Sequence, residues 1–244
     1  MYLMLVAAGV VAGITGSVAG LASLVSYPAL LALGLPPVTA NVTNTVALVF
    51  GGIGSVSASR VELTGRTRRM LPLAVATIFG GVAGGLLLMV APAASFAYIV
   101  PWLIAGASAA ILLPRRARSA TRHRLHQPAL LAGTTIIGVY GGYFGAASGV
   151  LLIALLLAMT DDTLAQSSAA RNLLLGMANA VASVVFIFYG SVRWLAALPL
   201  AVGFLIGGRL GPVITRKVPA TPLRLCIAAA GFGLAIDLGW HAYR

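Results

Sequence analysis

Arg171 lies about two turns inside an apolar run that extends from about residue 164 to 190. If that run crosses a bilayer, an unpaired charge at such depth costs several kcal/mol. The chain has only 4 acidic residues, and none but Asp237 falls inside an apolar run. A structural salt bridge is therefore hard to supply, whereas a bound anion would provide the counter-charge. The competing reading is an arginine that snorkels to the nearer surface, within reach of about 10 Å. Arg209 raises the same question, about two turns from Arg216.

Neutral donors accompany Arg171. Ser168, Asn172, Asn179 and Ser183 recur at spacings of 4, 7 and 4, which is one helix face. Asn41, Asn44 and Thr45 share a face near the start of another apolar run. Amides and hydroxyls donate to oxyanions without the cost of burying a charge. Polar side chains also join helices to one another in membranes, and spacing alone does not separate the two uses.

Glycine clusters form a third candidate. Gly16, Ser17 and Gly20 lie near the middle of the run 2–34, and Gly141, Gly145 and Ser148 near the middle of the run 129–159. A helix that stops and restarts inside a membrane exposes N–H groups at the restart, and these attract anions. Irregular backbone at that depth is tolerated only when buried or lining a cavity. Gly16/Gly20 and Gly141/Gly145 also fit the small-xxx-small pattern of close helix packing.

Enzymatic chemistry lacks its parts. His123, His126 and His241 fall in a linker and a tail, so no metal-binding triad is expected. There is no paired carboxylate, nucleophile elbow or phosphate loop. The chain reads as a non-enzyme without cofactor or metal. Asp161 and Asp162 mark a turn and read as solvated.

The elements that carry these residues are apolar helices. The composition is 60 % apolar and 8 % charged over 244 residues, and the mean hydropathy is +1.02. Too few charges remain to cover a soluble surface, and disorder needs fewer apolar residues. Of the 16 Lys and Arg, nine fall in two short stretches, Arg60 to Arg69 and Arg115 to Arg124. Such loops set orientation in a membrane; they do not form a nucleic-acid surface. The partners implied are the lipid bilayer and a small anion; a homo-oligomer is left open. The expected location is the cell inner (plasma) membrane.

Apolar runs fall at about 2–34, 38–59, 70–91, 96–113, 129–159, 164–190, 194–215 and 220–240. The chain also repeats itself. A shift of 125 brings Gly13, Gly16, Gly20 and Ser23 onto Gly138, Gly141, Gly145 and Ser148. A shift of 127 brings Leu71–Val75 onto an identical Leu198–Val202, and Gly80, Gly81 and Gly84 onto Gly207, Gly208 and Gly211. The expected fold is an all-α polytopic membrane protein of two homologous four-segment repeats, 1–113 and 129–244, joined by a basic cytoplasmic linker, 114–128. Internal repeats characterise secondary transporters.

The first segment of each repeat is too long for one crossing. As a single helix, 33 residues would reach about 50 Å, against a hydrocarbon core of about 30 Å. If both segments simply span, the repeats are parallel, and Arg216, Lys217 and Arg224 lie outside. If both are re-entrant hairpins, the repeats are inverted and only Arg193 and Arg244 lie outside. The positive-inside rule and the mid-segment glycines favour hairpins.

Several stretches resemble the TauE/SafE sulfite-exporter family. They are Leu33–Asn44 (LGLPPVTANVTN), Phe96–Leu103, Ala169–Asn172, Met177–Ala180 and Gly190–Trp194. The resemblance spans nearly the whole chain and implies a membrane transporter of sulfite, sulfonates or related sulfur anions. The sequence departs from the family pattern at Ala146–Ala147, where members often carry glycine, and at Arg171, where many carry lysine. Together these observations predict a secondary transporter, an exporter of small sulfur-containing anions. Gly16, Ser17, Gly20, Asn41, Asn44, Gly141, Gly145, Ser148, Arg171, Asn172 and Asn179 would line a midplane site between the repeats. Uptake of another small anion, or a non-transporting structural role, are the alternatives.

Overall fold

A computed structural model describes residues 1–112, 127–215 and 221–243. Expectations about the 114–128 linker fall largely outside these residues, as does the 216–220 part of the last basic loop. All elements among the described residues are helices: α1 (Tyr2–Ala19), α2 (Ser23–Ala32), α3 (Pro37–Ala58), α4 (Arg60–Leu63), α5 (Thr67–Val90), α6 (Ala93–Leu112), α7 (Gln127–Tyr143), α8 (Ser148–Met159), α9 (Leu164–Tyr189), α10 (Trp194–Thr215) and α11 (Thr221–Tyr243). α1, α5, α9 and residues 194–214 of α10 are long and apolar enough to cross a membrane. α3 is as long, but it carries Asn41, Thr43, Asn44 and Thr45, all buried inside the protein. Large apolar side chains such as Phe79, Phe188 and Leu195 point outward instead. That inside-out polarity suits a lipid surround.

Glycines set how closely the helices approach. Gly9 packs on Gly203, Gly13 on Gly207 and Gly208, and Ser17 on Gly211, so α1 and α10 run side by side in the same direction. Gly80 meets Gly138 and Gly84 meets Tyr143, so α5 and α7 run together likewise. α3 follows α10 through Gly51 and Gly54, and α9 follows α5 through Ala178 and Ala182. α3 and α9 cross in opposite directions, Gly52 against Gly176 and Val42 against Gly190. One set, α1, α3 and α10, therefore runs opposite to the other, α5, α7 and α9. Since α3 starts at the end where α1 started, the α2 segment must return the chain; the α8 segment does the same between α7 and α9.

Both returns begin at a left-handed glycine. Gly20 (φ +80°) ends α1, donating its N–H to Gly16 O at 2.7 Å. Gly145 (φ +71°) follows α7, with Ala147 also left-handed at φ +55° before α8. A β-carbon costs about 1–2 kcal/mol in that conformation, so glycine is favoured there. Gly13, Gly16, Gly138, Gly141 and Gly142 stay within their helices, and all but Gly141 press against a neighbouring backbone or Ala22.

Asp162 corrects the expectation of a solvated turn. It is buried in the turn before α9 and accepts from Arg66 and Arg69 at the start of α5. In a chain this basic, one buried carboxylate faces two arginines at once. This pairing also puts the 64–66 and 160–163 connections at the same end of the molecule.

Candidate functional site

The two breaks meet. A β-carbon on Gly20 would lie 2.7 Å from the carbonyl carbon of Gly149, and one on Gly149 would lie 2.6 Å from Gly20 Cα. Beside this contact is a cavity of about 80 Å³. One water needs about 10–15 Å³ on this measure, so there is room for several waters or one small oxyanion. Both breaks, α3, α9 and Phe204 of α10 line it.

Of the residues expected from sequence, Gly16, Ser17, Gly20, Gly141, Gly145, Ser148, Arg171, Asn172 and Asn179 come together around this cavity. Asn41 and Asn44 are not in its lining. Asn44 holds the returning segment: its Oδ1 accepts from Ser26 Oγ at 2.5 Å and its Nδ2 donates to Ser23 Oγ at 3.2 Å. Asn41 Nδ2 donates to Tyr143 O at 2.8 Å. Ser168 and Ser183, on the polar stripe of α9, also lie outside the lining.

Arg171 is 1 % exposed, which removes the snorkelling reading. A capping box sets the start of α9: Thr163 and Gln166 exchange backbone and side-chain bonds. Two turns later the guanidinium reaches the end of α1. Its Nη2 donates to Ser17 O and Gly16 O, and its Nε and Nη2 to Asn172 Oδ1. The negative end of a broken helix thus meets the cation, a partner that the sequence reading, with its acid, bound anion or membrane surface, did not include. Arg171 is also the only charged residue in the lining among the described residues.

The restarts face the same space. α2 begins at Ser23 and α8 at Ser148, and neither first turn has a side-chain cap. Ser23 and Ser148 both line the cavity. Ser23 was within reach of the sequence, because the 125-residue shift pairs it with Ser148. Thr45 and Ser55 carried a weaker signal, as small hydroxyls on α3. Phe204 carried none, since a buried aromatic looks the same wherever it packs. Along α3 the lining runs from Thr45 to Ser55, toward the end that carries Arg60 to Arg69. At the opposite end Arg193 N–H donates to Thr43 Oγ1 at 3.1 Å, and Gly190 packs on Val42 and Phe186.

Residues 5–238 match the family described as sulfite exporter TauE/SafE. The chain belongs to this family. It is similar to the "Probable membrane transporter protein ORF9" of a Sinorhizobium species, with 27 % identity over 95 % of this chain and 89 % of the relative. It is also similar to the "Probable membrane transporter protein YfcA" of Escherichia coli K12, with 29 % identity over 82 % of this chain and 75 % of that protein. A "Probable membrane transporter protein" of Haemophilus influenzae is 25 % identical over 96 % and 94 %. No solved structure matches the chain at a significant level. This TauE/SafE protein is a multi-pass membrane transporter, and the cavity is where its broken helices, α3 and α9 converge.

Proposed function

We propose that this TauE/SafE protein is a secondary exporter of small sulfur-containing anions such as sulfite or an organosulfonate. The anion binds in the central cavity between two inverted repeats and moves by alternating access. One observation carries the reading. A cavity of oxyanion size sits where two helix starts without side-chain caps and a buried arginine converge, with no carboxylate in its lining among the described residues. Helix starts carry about half a positive charge each, and Arg171 adds a full one. Asn172 and Asn179 add neutral donors.

Repeat inversion is supported by matched residues that do matched work. Gly80 packs on α7 and Gly207 on α1; Gly81 packs on α9 and Gly208 on α3. Equivalent helices run in opposite directions, as inverted repeats require. With the Arg60–Arg69 end cytoplasmic, the cavity extends inward while the Thr43–Arg193 end is shut. Rocking one repeat against the other would exchange the two ends.

Flux tests the proposal. Purified protein in liposomes should release loaded sulfite faster than empty liposomes, and sulfite should raise the unfolding temperature in detergent, because a ligand of the folded state stabilises it. Neither effect, with sulfite or with a simple alkylsulfonate, would overturn the cargo assignment.

A further inference from the structure

α1 and α7 both end inside the protein, where their last carbonyls need donors. In each case a long helix from the other half of the chain provides one. Arg171 of α9 donates to Gly16 O and Ser17 O at the end of α1. Asn41 of α3 donates to the carbonyl of Tyr143, the last residue of α7. Asn41 is 1 % exposed and lies outside the cavity lining. Its Oδ1 is buried with no hydrogen-bond partner among the described residues, so the amide serves as a donor.

A helix C-terminus carries about half a negative charge. Two such ends beside the cavity would oppose an anion. A cation on one and an amide N–H on the other offset them, which leaves the starts of α2 and α8 as the net field. We propose that Asn41 is a positioning residue for the anion site. With Arg171 it forms a reciprocal pair of end-caps, in which each half holds the broken helix of the other and screens its negative end. This rests on the anion-transport reading of the cavity.

Two variants of the full chain test it. Asn41→Leu removes the donor. Hydrogen exchange of residues 144–151 should then speed up several-fold while residues 46–56 of α3 exchange as in wild type. Sulfite affinity should fall about ten-fold, the effect of one lost hydrogen bond, with maximal flux changed less. Asn41→Asp keeps the shape. Ionised, it has no proton for the Tyr143 carbonyl; protonated, its O–H donates again. Burial favours the neutral acid, so its affinity relative to wild type should recover as pH falls from about 8 to about 5. Unchanged exchange at 144–151 in Asn41→Leu, or an Asn41→Asp affinity that stays well below wild type at every pH from about 8 to about 5, overturns the proposal. If neither sulfite nor a simple alkylsulfonate stabilises even the wild type, the anion-site reading of the cavity fails, and the anion role of Asn41 with it. The exchange result tells that failure apart from a failure of the cap.

Discussion

Arg171→Gln separates the observed hold of the guanidinium on α1 from its proposed role toward an anion. Toward an anion, it removes a charge-assisted contact worth roughly 1.5–3 kcal/mol, so sulfite affinity should fall about 10- to 150-fold. Toward α1, it removes the donor from Ser17 O and Gly16 O. Gly16 O keeps the Gly20 N–H at 2.7 Å, so the loss falls chiefly on Ser17 O. A buried acceptor left unmet costs about 1–3 kcal/mol. The penalty falls on the ligand-free protein as well. The assay must therefore compare the dependence on sulfite, not the unfolding temperature itself. Unfolding in detergent across a sulfite series should give a lower starting temperature and a much flatter rise. Arg171→Lys should keep part of the rise, because the charge survives while the planar fork is lost. A variant with a lower starting temperature but the wild-type sulfite dependence would show a purely structural arginine and refute the site.

Asp162→Asn should destabilise the protein by roughly 1–3 kcal/mol, between the values for exposed and buried pairs, because Asp162 is buried while the Arg69 side chain is 49 % exposed. Exchanging charges in Arg66→Asp with Asp162→Arg should restore part of that loss in thermal unfolding, and no recovery would argue against a direct pair. Gly149→Ala would put a β-carbon 2.6 Å from Gly20 Cα, so overpacking should cost about 1–3 kcal/mol and slow flux. Gly106→Ala, with nothing within 4 Å, should be neutral or slightly stabilising in the same assay. Single cysteines at positions 65 and 161, in a Cys226→Ser background, should react with an impermeant thiol reagent from the same side of the membrane; opposite sides would break the hairpin arrangement.

Much of the helix layout was legible in the sequence, since a bilayer leaves few options for long apolar runs. The eight runs correspond to the helices within about three residues at most ends. α4 was missed, because Arg60–Leu63 is a single polar turn without periodicity. Arg171, Asn172 and Asn179 stood out because polar groups are costly among apolar ones, and they do meet at one cavity. Asn41 and Asn44 stood out for the same reason, yet they bind backbone and serine hydroxyls beside the cavity. Cost identifies a residue that needs a partner but does not say which partner.

Composition and spacing alone mark the chain as a membrane protein and show where polar side chains fall among apolar ones. Both act locally along the chain. Only the tertiary structure decided the direction of each helix, the meeting of Gly20 with Gly149 and the partners of Arg171, Asn41 and Asp162. Each depends on contacts between residues about 100 to 150 positions apart, set by how closely glycine faces let two backbones approach. Spacing in the sequence carries no record of that approach.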